Sequence, residues 1–203
     1  MQLSITHWVR INDQHVIKDG KSLLHADAVN GNAEDIYRAL QYNYPKFFKM
    51  DMLCKWAWLG AELLLTEAGN KAYDGLHPTK IAAVITTSEG CIDVDKKYQE
   101  TLTTIPSPAL FVYTLPNIML GEIAIRHGLK GEQVCLVSDK MDAAELDYWV
   151  NDLLQNRNMD ACLCGWADAT ETKKEVILFW VTKGTNGLPF NKKKMEQLIN
   201  TAI

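Results

Sequence analysis

The chain has 203 residues, of which 47% are hydrophobic, and this is enough for one substantial core and favours a single domain over residues 1–203. Its formal net charge of −4 argues against a nucleic-acid surface, which requires a concentrated excess of Lys and Arg. No stretch approaches the ~20 apolar residues that span a bilayer.

The amino-terminal segment carries apolar residues at alternate positions from Leu3 to Ile11, which predicts a half-buried strand. It lacks the charged start and apolar core of a secretion signal, so we expect a cytoplasmic protein. In the polar stretch Asn12–Asn43 we expect surface loops and one short helix. The apolar spacing after Asp51 predicts an amphipathic helix, capped by Asp51 and stopped at Gly69–Asn70.

Strands and helices alternate through the rest of the chain, which predicts an α/β layered domain with a mixed or largely parallel sheet. The apolar run in Lys80–Gly90 predicts a strand buried on both faces. The segment Ser107–Gly131 predicts a helix capped by Thr114 and closed by Gly128. Further elements are predicted as follows: a helix near Asp93–Ile105, strands at Val134–Val137, Ala161–Gly165 and Val176–Thr182, and helices at Ala143–Leu154 and Lys192–Ala202.

The cysteines are odd in number and scattered through apolar segments: Cys54, Cys91, Cys135, Cys162 and Cys164. Free cysteine is among the most buried residue types, so we expect reduced, buried thiols. Cys162 and Cys164 lie in a strand pattern that places both thiols on one face. Because no second Cys or His pair at ligand spacing accompanies them, we expect no metal site, and we expect no cofactor.

Three segments together resemble the N-terminal half of a β-ketoacyl synthase, a member of the thiolase-like superfamily. "SPALFVYTLPNIMLGEIAIRHGLKG" resembles the helix that ends in a Gly-Leu-x-Gly turn before the nucleophile strand. "VCLVSDK" resembles the strand and elbow that carry the active-site cysteine, and "DACLCGWADA" resembles the following strand with its Gly-Gly-Ala-Glu-Ala ending. The resemblance implies a thiolase-like half, which is one layered α/β/α unit with a mixed, mostly parallel sheet.

The resemblance places Ser138, Asp139 and Lys140 on the Thr-Ala-Cys triplet of the family, so that Lys140 stands where the nucleophilic cysteine would be. A thiol there is favoured by the partial positive charge of a helix N-terminus, whereas a lysine ammonium is not. Cys135 lies upstream, inside the strand, and cannot simply replace the missing thiol.

The family's two catalytic histidines come from the second of two similar halves, and the resemblance covers the first half only. None of the histidines of this sequence lies in a context like theirs: His7, His15, His25, His77 and His127. We expect His127 to be a capping residue at the C-terminal turn of its helix, favoured by the helix dipole.

The resemblance therefore implies an accessory protein without condensing activity, analogous to a chain length factor. It would assist fatty-acid, polyketide or polyene-type biosynthesis by pairing with an active ketosynthase or an acyl carrier protein. Three alternatives stay open: an acyl-transfer or Schiff-base enzyme using Lys140, a β-ketoacyl synthase completed by a partner chain, and a scaffold protein without an acyl ligand.

Two expectations concern the strand before the elbow. Its unbroken apolar run at Val134–Val137 predicts a central place in the sheet, with the helix after Asp142 packed behind it. In the family, however, this strand pairs with its counterpart across a dimer interface. The equivalent segment, Gln133–Val137, carries no charge and would be hazardous as a bare edge, so we expect a homo- or heterodimer formed through it.

Overall fold

The computed structural model describes residues 1–12, 14–24, 32–67 and 69–200. Its strands are β1 (Leu3–Asn12), β2 (Val16–Lys18), β3 (Lys21–Leu24), β4 (Thr66–Glu67), β5 (Asn70–Lys71), β6 (Ile81–Thr87), β7 (Gln133–Val137), β8 (Ala161–Ala169), β9 (Lys174–Lys183) and β10 (Leu188–Pro189). Its helices are α1 (Ala33–Ala39), α2 (Met52–Leu65), α3 (Ile92–Thr101), α4 (Pro108–Val112), α5 (Ile118–His127), α6 (Ala143–Asn151) and α7 (Lys192–Ile199). His25 and the predicted end of the last helix at Ala202 lie outside the described residues.

One sheet organises the molecule, with the strand order β3-β2-β1-β9-β8-β6-β7 and with β10 paired to β1. The strands β6, β7 and β8 run parallel, whereas β9 pairs antiparallel with both β8 and β1. In the core of the sheet, β1, β8, β6 and β7 therefore share one direction and β9 opposes them. This confirms the predicted mixed, mostly parallel sheet.

Helices cover both faces of the sheet because its central strands alternate apolar side chains between two cores. One core combines α2 and α5 with Ala83 and Leu163, and the other combines α6 and α7 with Val84 and Cys164. The α/β/α layering is confirmed. Cys162 lies in the same core as Cys164, so the two thiols share one face as predicted.

Helix α2 begins as predicted, since the Asp51 carboxylate accepts hydrogen bonds from the backbone N–H groups of Leu53 and Cys54, each at 3.2 Å. It ends at Leu65, earlier than the predicted stop at Gly69–Asn70. The chain leaves the helix there because Thr66–Glu67 pairs with Asn70–Lys71 as a small hairpin.

The stretch Asn12–Asn43 contributes more structure than the predicted loops and short helix. The short helix is present as α1, with Asn32 accepting a hydrogen bond from Glu34 N at 2.9 Å. In addition, β2 and β3 extend the sheet beyond β1, and Val16 and Ile17 are buried in the two cores. Two consecutive apolar residues suffice for such a strand when an existing edge supplies its hydrogen bonds.

The predicted helix in Ser107–Gly131 is divided into α4 and α5. Thr114 does not cap α5, because its hydroxyl donates to the Phe111 carbonyl at 2.8 Å and α5 starts only at Ile118. Gly128 closes α5 as predicted, with a φ of 68° that favours glycine.

Strand β7 is an edge strand, so the predicted central place for Val134–Val137 is wrong. Gln133 and Val137 are exposed and the three residues between them are only half-buried. A short apolar run has the same sequence pattern whether the strand has one or two neighbouring strands, and here β6 is the only neighbour of β7 among the described residues. The helix α6 does pack behind this part of the sheet, as predicted.

Candidate functional site

The C-terminal ends of β6, β7 and β8 lie at the same edge of the sheet because these strands are parallel. This is where open α/β sheets place ligands. The polar residues that follow or end the strands are therefore brought together here. We call this group the strand-end cluster: Thr87, Ser88, Glu89, Ser138, Asp139, Lys140 and Asp168.

Ser138 begins the turn after β7, and hydrogen bonds fix both its backbone and its side chain. Its N–H donates to the Thr87 carbonyl at 3.0 Å, and its hydroxyl donates to Glu145 Oε2 at 2.9 Å. Asp142 then caps α6 by accepting from Ala144 N at 2.7 Å. Strand, turn and capped helix form the predicted elbow.

Asp139 and Lys140 project from this elbow and are exposed. Lys140 borders a cavity of about 120 Å³, which Trp166, Lys173 and Ile177 also line. A catalytic amine is activated by enclosure in an apolar environment. The exposure of Lys140 therefore does not favour a Schiff-base role.

Cys135 faces the opposite layer from Lys140, since its side chain packs against the core under α2 and α5. Burial raises the pKa of the Cys135 thiol to about 11. Burial likewise raises the pKa of the nearby Cys91 thiol to about 12. Neither environment favours the thiolate that nucleophilic catalysis requires.

Asp168, at the end of β8, holds the strand-end cluster together, and the sequence did not identify it, or Thr87, Ser88 and Glu89, as a site residue. Its side chain is fully buried and accepts hydrogen bonds from Thr87 Oγ1 at 3.0 Å and Ser88 Oγ at 2.6 Å. The Glu89 N–H donates at 3.1 Å and Lys173 Nζ at 3.0 Å. The predicted match of "DACLCGWADA" to a strand ending in an acidic residue was the available signal.

These donors determine the charge state of Asp168. Burial by itself raises the pKa of the carboxyl, but the hydrogen bonds from Ser88, Lys173, Glu89 and Thr87 outweigh it and lower the pKa below its ordinary value. The ionised carboxylate thus ties the turn after β6 to the β8–β9 hairpin and keeps the strand ends in place.

We expect Asp168→Asn to lower the free energy of unfolding by ~2 kcal/mol at pH 7, because the amide cannot accept from all of these donors. Since the folded pKa is lowered, the carboxylate stabilises the fold above the unfolded pKa, and this contribution is lost as the pH falls through the folded value. The difference between wild type and variant should therefore shrink below the ordinary pKa of 3.8. Urea unfolding at several pH values measures this, with the exposed Asp139→Asn as control. A difference that stays constant down to the lowest pH would contradict it.

A second buried network lies between α2 and α5. Glu62 is 2% exposed and binds the Arg126 guanidinium through both carboxylate oxygens, at 2.8 and 2.5 Å. His127 Nε2 lies 3.4 Å from Glu62, and His127 Nδ1 lies 3.2 Å from the Tyr73 hydroxyl. Burial lowers the pKa of His127 to about 4 despite the Glu62 carboxylate. His127 lies in the last turn of α5, as predicted, but burial disfavours the charged form that the helix dipole would stabilise.

His7 and His77 have partners outside the strand-end cluster. His7 Nδ1 contacts Asp19 at 2.9 Å, and His77 Nδ1 contacts Thr79 Oγ1 at 2.8 Å. Within the described residues, no three His, Cys, Asp or Glu side chains are grouped as metal ligands. Among the described helices, none combines the length and the apolar character that a membrane crossing requires.

No protein-family model and no curated protein matches the sequence. Solved structures do match. The ishigamide ketosynthase/chain length factor aligns with a TM-score of 0.63 at 15% identity, over 91% of this chain and 63% of that chain. The chain has a ketosynthase-like fold.

Two further structures agree with this ketosynthase-like fold. In a complex of a type II polyketide acyl-carrier protein with its ketosynthase bound to the hexaketide, one chain aligns with a TM-score of 0.61 at 11% identity, over 99% of this chain and 65% of that chain. A ketosynthase in complex with its chain length factor from Xenorhabdus doucetiae aligns with a TM-score of 0.57 at 14% identity, over 91% of this chain and 80% of that chain. The ketosynthase-like chain thus spans less than two thirds of the first two neighbours, and at these identities the similarity establishes the fold alone.

Proposed function

We propose that this chain is an accessory protein of the ketosynthase type, which pairs through β7 with an active ketosynthase and performs no condensation itself. The observation that carries the proposal is the outer edge of β7, which no strand of the described residues covers. The structural neighbours include a ketosynthase in complex with its chain length factor and a ketosynthase in complex with its acyl-carrier protein. By analogy, an acyl carrier protein is the second proposed partner, in fatty-acid, polyketide or polyene-type biosynthesis.

The backbone of β7 shows which groups are available to a partner. Ala83 N donates to Glu132 O, and Ser138 N donates to Thr87 O. The backbone N–H and C=O groups of the even-numbered residues in this segment therefore point toward β6. Backbone groups alternate in direction along a strand. Gln133, Cys135 and Val137 therefore direct their N–H and C=O groups away from β6, toward the open edge.

The side chains near this edge also suit a partner. Strand β7 carries no charged residue, and Val137 is 65% exposed. An exposed apolar side chain on a strand whose outer edge no described residue covers is typical of an interface that is covered in the functional assembly.

The absence of condensing activity rests on the elbow. Claisen condensation needs a thiolate that holds the acyl chain and donors that stabilise the developing oxyanion. Lys140 occupies the position that resembles the nucleophile's, and the Cys135 thiol points into the opposite core. Neither group offers a thiolate at the elbow.

We expect no covalent acyl adduct when the chain is incubated with an acyl carrier protein loaded with a radiolabelled acyl group. Lys140→Cys should also fail to restore condensation, because one thiol does not supply the remaining catalytic donors. Autoradiography of denatured protein and product analysis measure these outcomes. A stable adduct on Lys140 would support the Schiff-base or acyl-transfer alternative. Condensation that appears only with a second chain would support a synthase completed by its partner.

Association is tested separately, by analytical ultracentrifugation of the chain alone and mixed with ketosynthases encoded beside it. A strictly monomeric chain that binds none of them would rule out pairing through β7 and leave the scaffold alternative.

A further inference from the structure

A second candidate binding region lies on the opposite side of the sheet from Lys140. A cavity of about 460 Å³ separates the segment Pro45–Lys49 from α4, with Val94 and Leu110 on its apolar wall and Glu122 at its base. We call it the α4 groove. Its volume lies within the ~300–1,000 Å³ that is common for small-molecule sites. A neighbouring cavity of about 520 Å³ shares Met50, Asp51, Val94 and Leu110 with it, so the open space continues along α3.

The charged groups at the base of the α4 groove already have partners. Glu122 is almost fully buried, accepts from the Tyr113 hydroxyl at 3.1 Å and contacts Lys46 Nζ at 2.7 Å. The Asp51 carboxylate is engaged by the first N–H groups of α2. The base therefore does not require a cationic ligand.

The mouth of the groove differs, because it holds a cation without such a partner. The Lys49 side chain is exposed, and its ammonium makes no hydrogen bond or ion pair with the rest of the described chain. At the far end, by contrast, Lys55 contacts Glu34 at 2.5 Å and Lys97 lies 3.7 Å from Glu171. The charge distribution thus favours an anion at Lys49, with an apolar body extending past Val94 and Leu110.

We propose that the α4 groove binds a long-chain anionic amphiphile non-covalently, with the anionic head at Lys49. The proposed ligand site is separate from the elbow. The cavity beside Lys140 lies on the face of the sheet that α6 and α7 cover, and it shares no lining residue with the groove. The inference is also independent of pairing through β7, so either can fail without the other.

The test uses the full chain and measures displacement of a fluorescent polyene fatty acid. Energy transfer from tryptophan to this probe reports how much of it is bound. Trp56 lines the neighbouring cavity and is a nearby donor. Dodecanoate and dodecyl phosphate should both displace the probe with saturation, and dodecanol should be about tenfold weaker because it lacks the charge. The tighter of the two anions identifies a carboxylate or a phosphate head. Equal displacement by dodecanol would overturn the assigned head group, and unsaturable binding would overturn the site.

Two variants locate the ligand. Lys49→Glu should weaken both anions about tenfold and leave dodecanol unchanged, whereas Lys193→Glu on exposed α7 should change nothing. Ala109→Trp fills the groove from an exposed position and should weaken all three ligands, whereas Ala144→Trp on exposed α6 should not. Far-ultraviolet circular dichroism checks that each variant is folded. Wild-type affinities in both groove variants would refute the proposal.

Discussion

Replacing Arg126 by alanine is expected to lower the free energy of unfolding by ~3–5 kcal/mol, because it leaves the Glu62 carboxylate buried without its guanidinium partner. Glu62 is 3% exposed at its side chain and bonds Arg126 in a bidentate arrangement. The guanidinium also stacks over Tyr44 and Trp58, at 5.0 and 5.7 Å from the ring centroids. Chemical denaturation at neutral pH measures the loss.

The matched control is Arg157→Ala. Arg157 makes two ion pairs, with Glu132 at 2.9 Å and Asp152 at 2.7 Å, but its side chain is 46% exposed. Exposed pairs contribute only ~0–1 kcal/mol, so the control should be nearly neutral. Combining Arg126→Ala with Glu62→Gln should recover part of the stability, because the double variant no longer buries the Glu62 charge without a partner. Equal losses for the two arginine variants would show that burial of Glu62 is not the cause.

The second large effect concerns association through β7. Gln133→Pro removes a backbone donor that faces the open edge, and Val137→Asp places a charge in the proposed interface. Each should weaken pairing with a ketosynthase by ~100-fold or more, corresponding to about 3 kcal/mol. Sedimentation velocity over a concentration series measures the affinity.

The controls separate association from folding. Leu23→Asp places the same charge at the opposite edge of the sheet, where Leu23 is 43% exposed, and should leave pairing unchanged. Val134→Pro, in contrast, should unfold or strongly destabilise the chain, because the Val134 N–H faces β6. Retention of wild-type affinity in both Gln133→Pro and Val137→Asp would remove β7 from the interface.

Sequence reasoning located elements whose signal is local. The apolar spacing in α2 and α6, the Asp51 and Gly128 helix ends and the apolar run of β6 each depend on residues within a few turns of one another. The structure contains all of them. Their order also carried the resemblance to a ketosynthase, which the solved structures confirm at the level of the fold.

What the sequence by itself determined about this protein is therefore the identity and order of its main elements and the layered fold. Only the tertiary structure decided that β7 is an edge, that Lys140 is exposed and that Asp168 holds the turn after β6. The physical reason is that burial and hydrogen bonding depend on neighbours distant in sequence. Asp168 and Ser88 lie 80 residues apart in the sequence, and no local sequence pattern predicts that two such distant residues form a hydrogen bond.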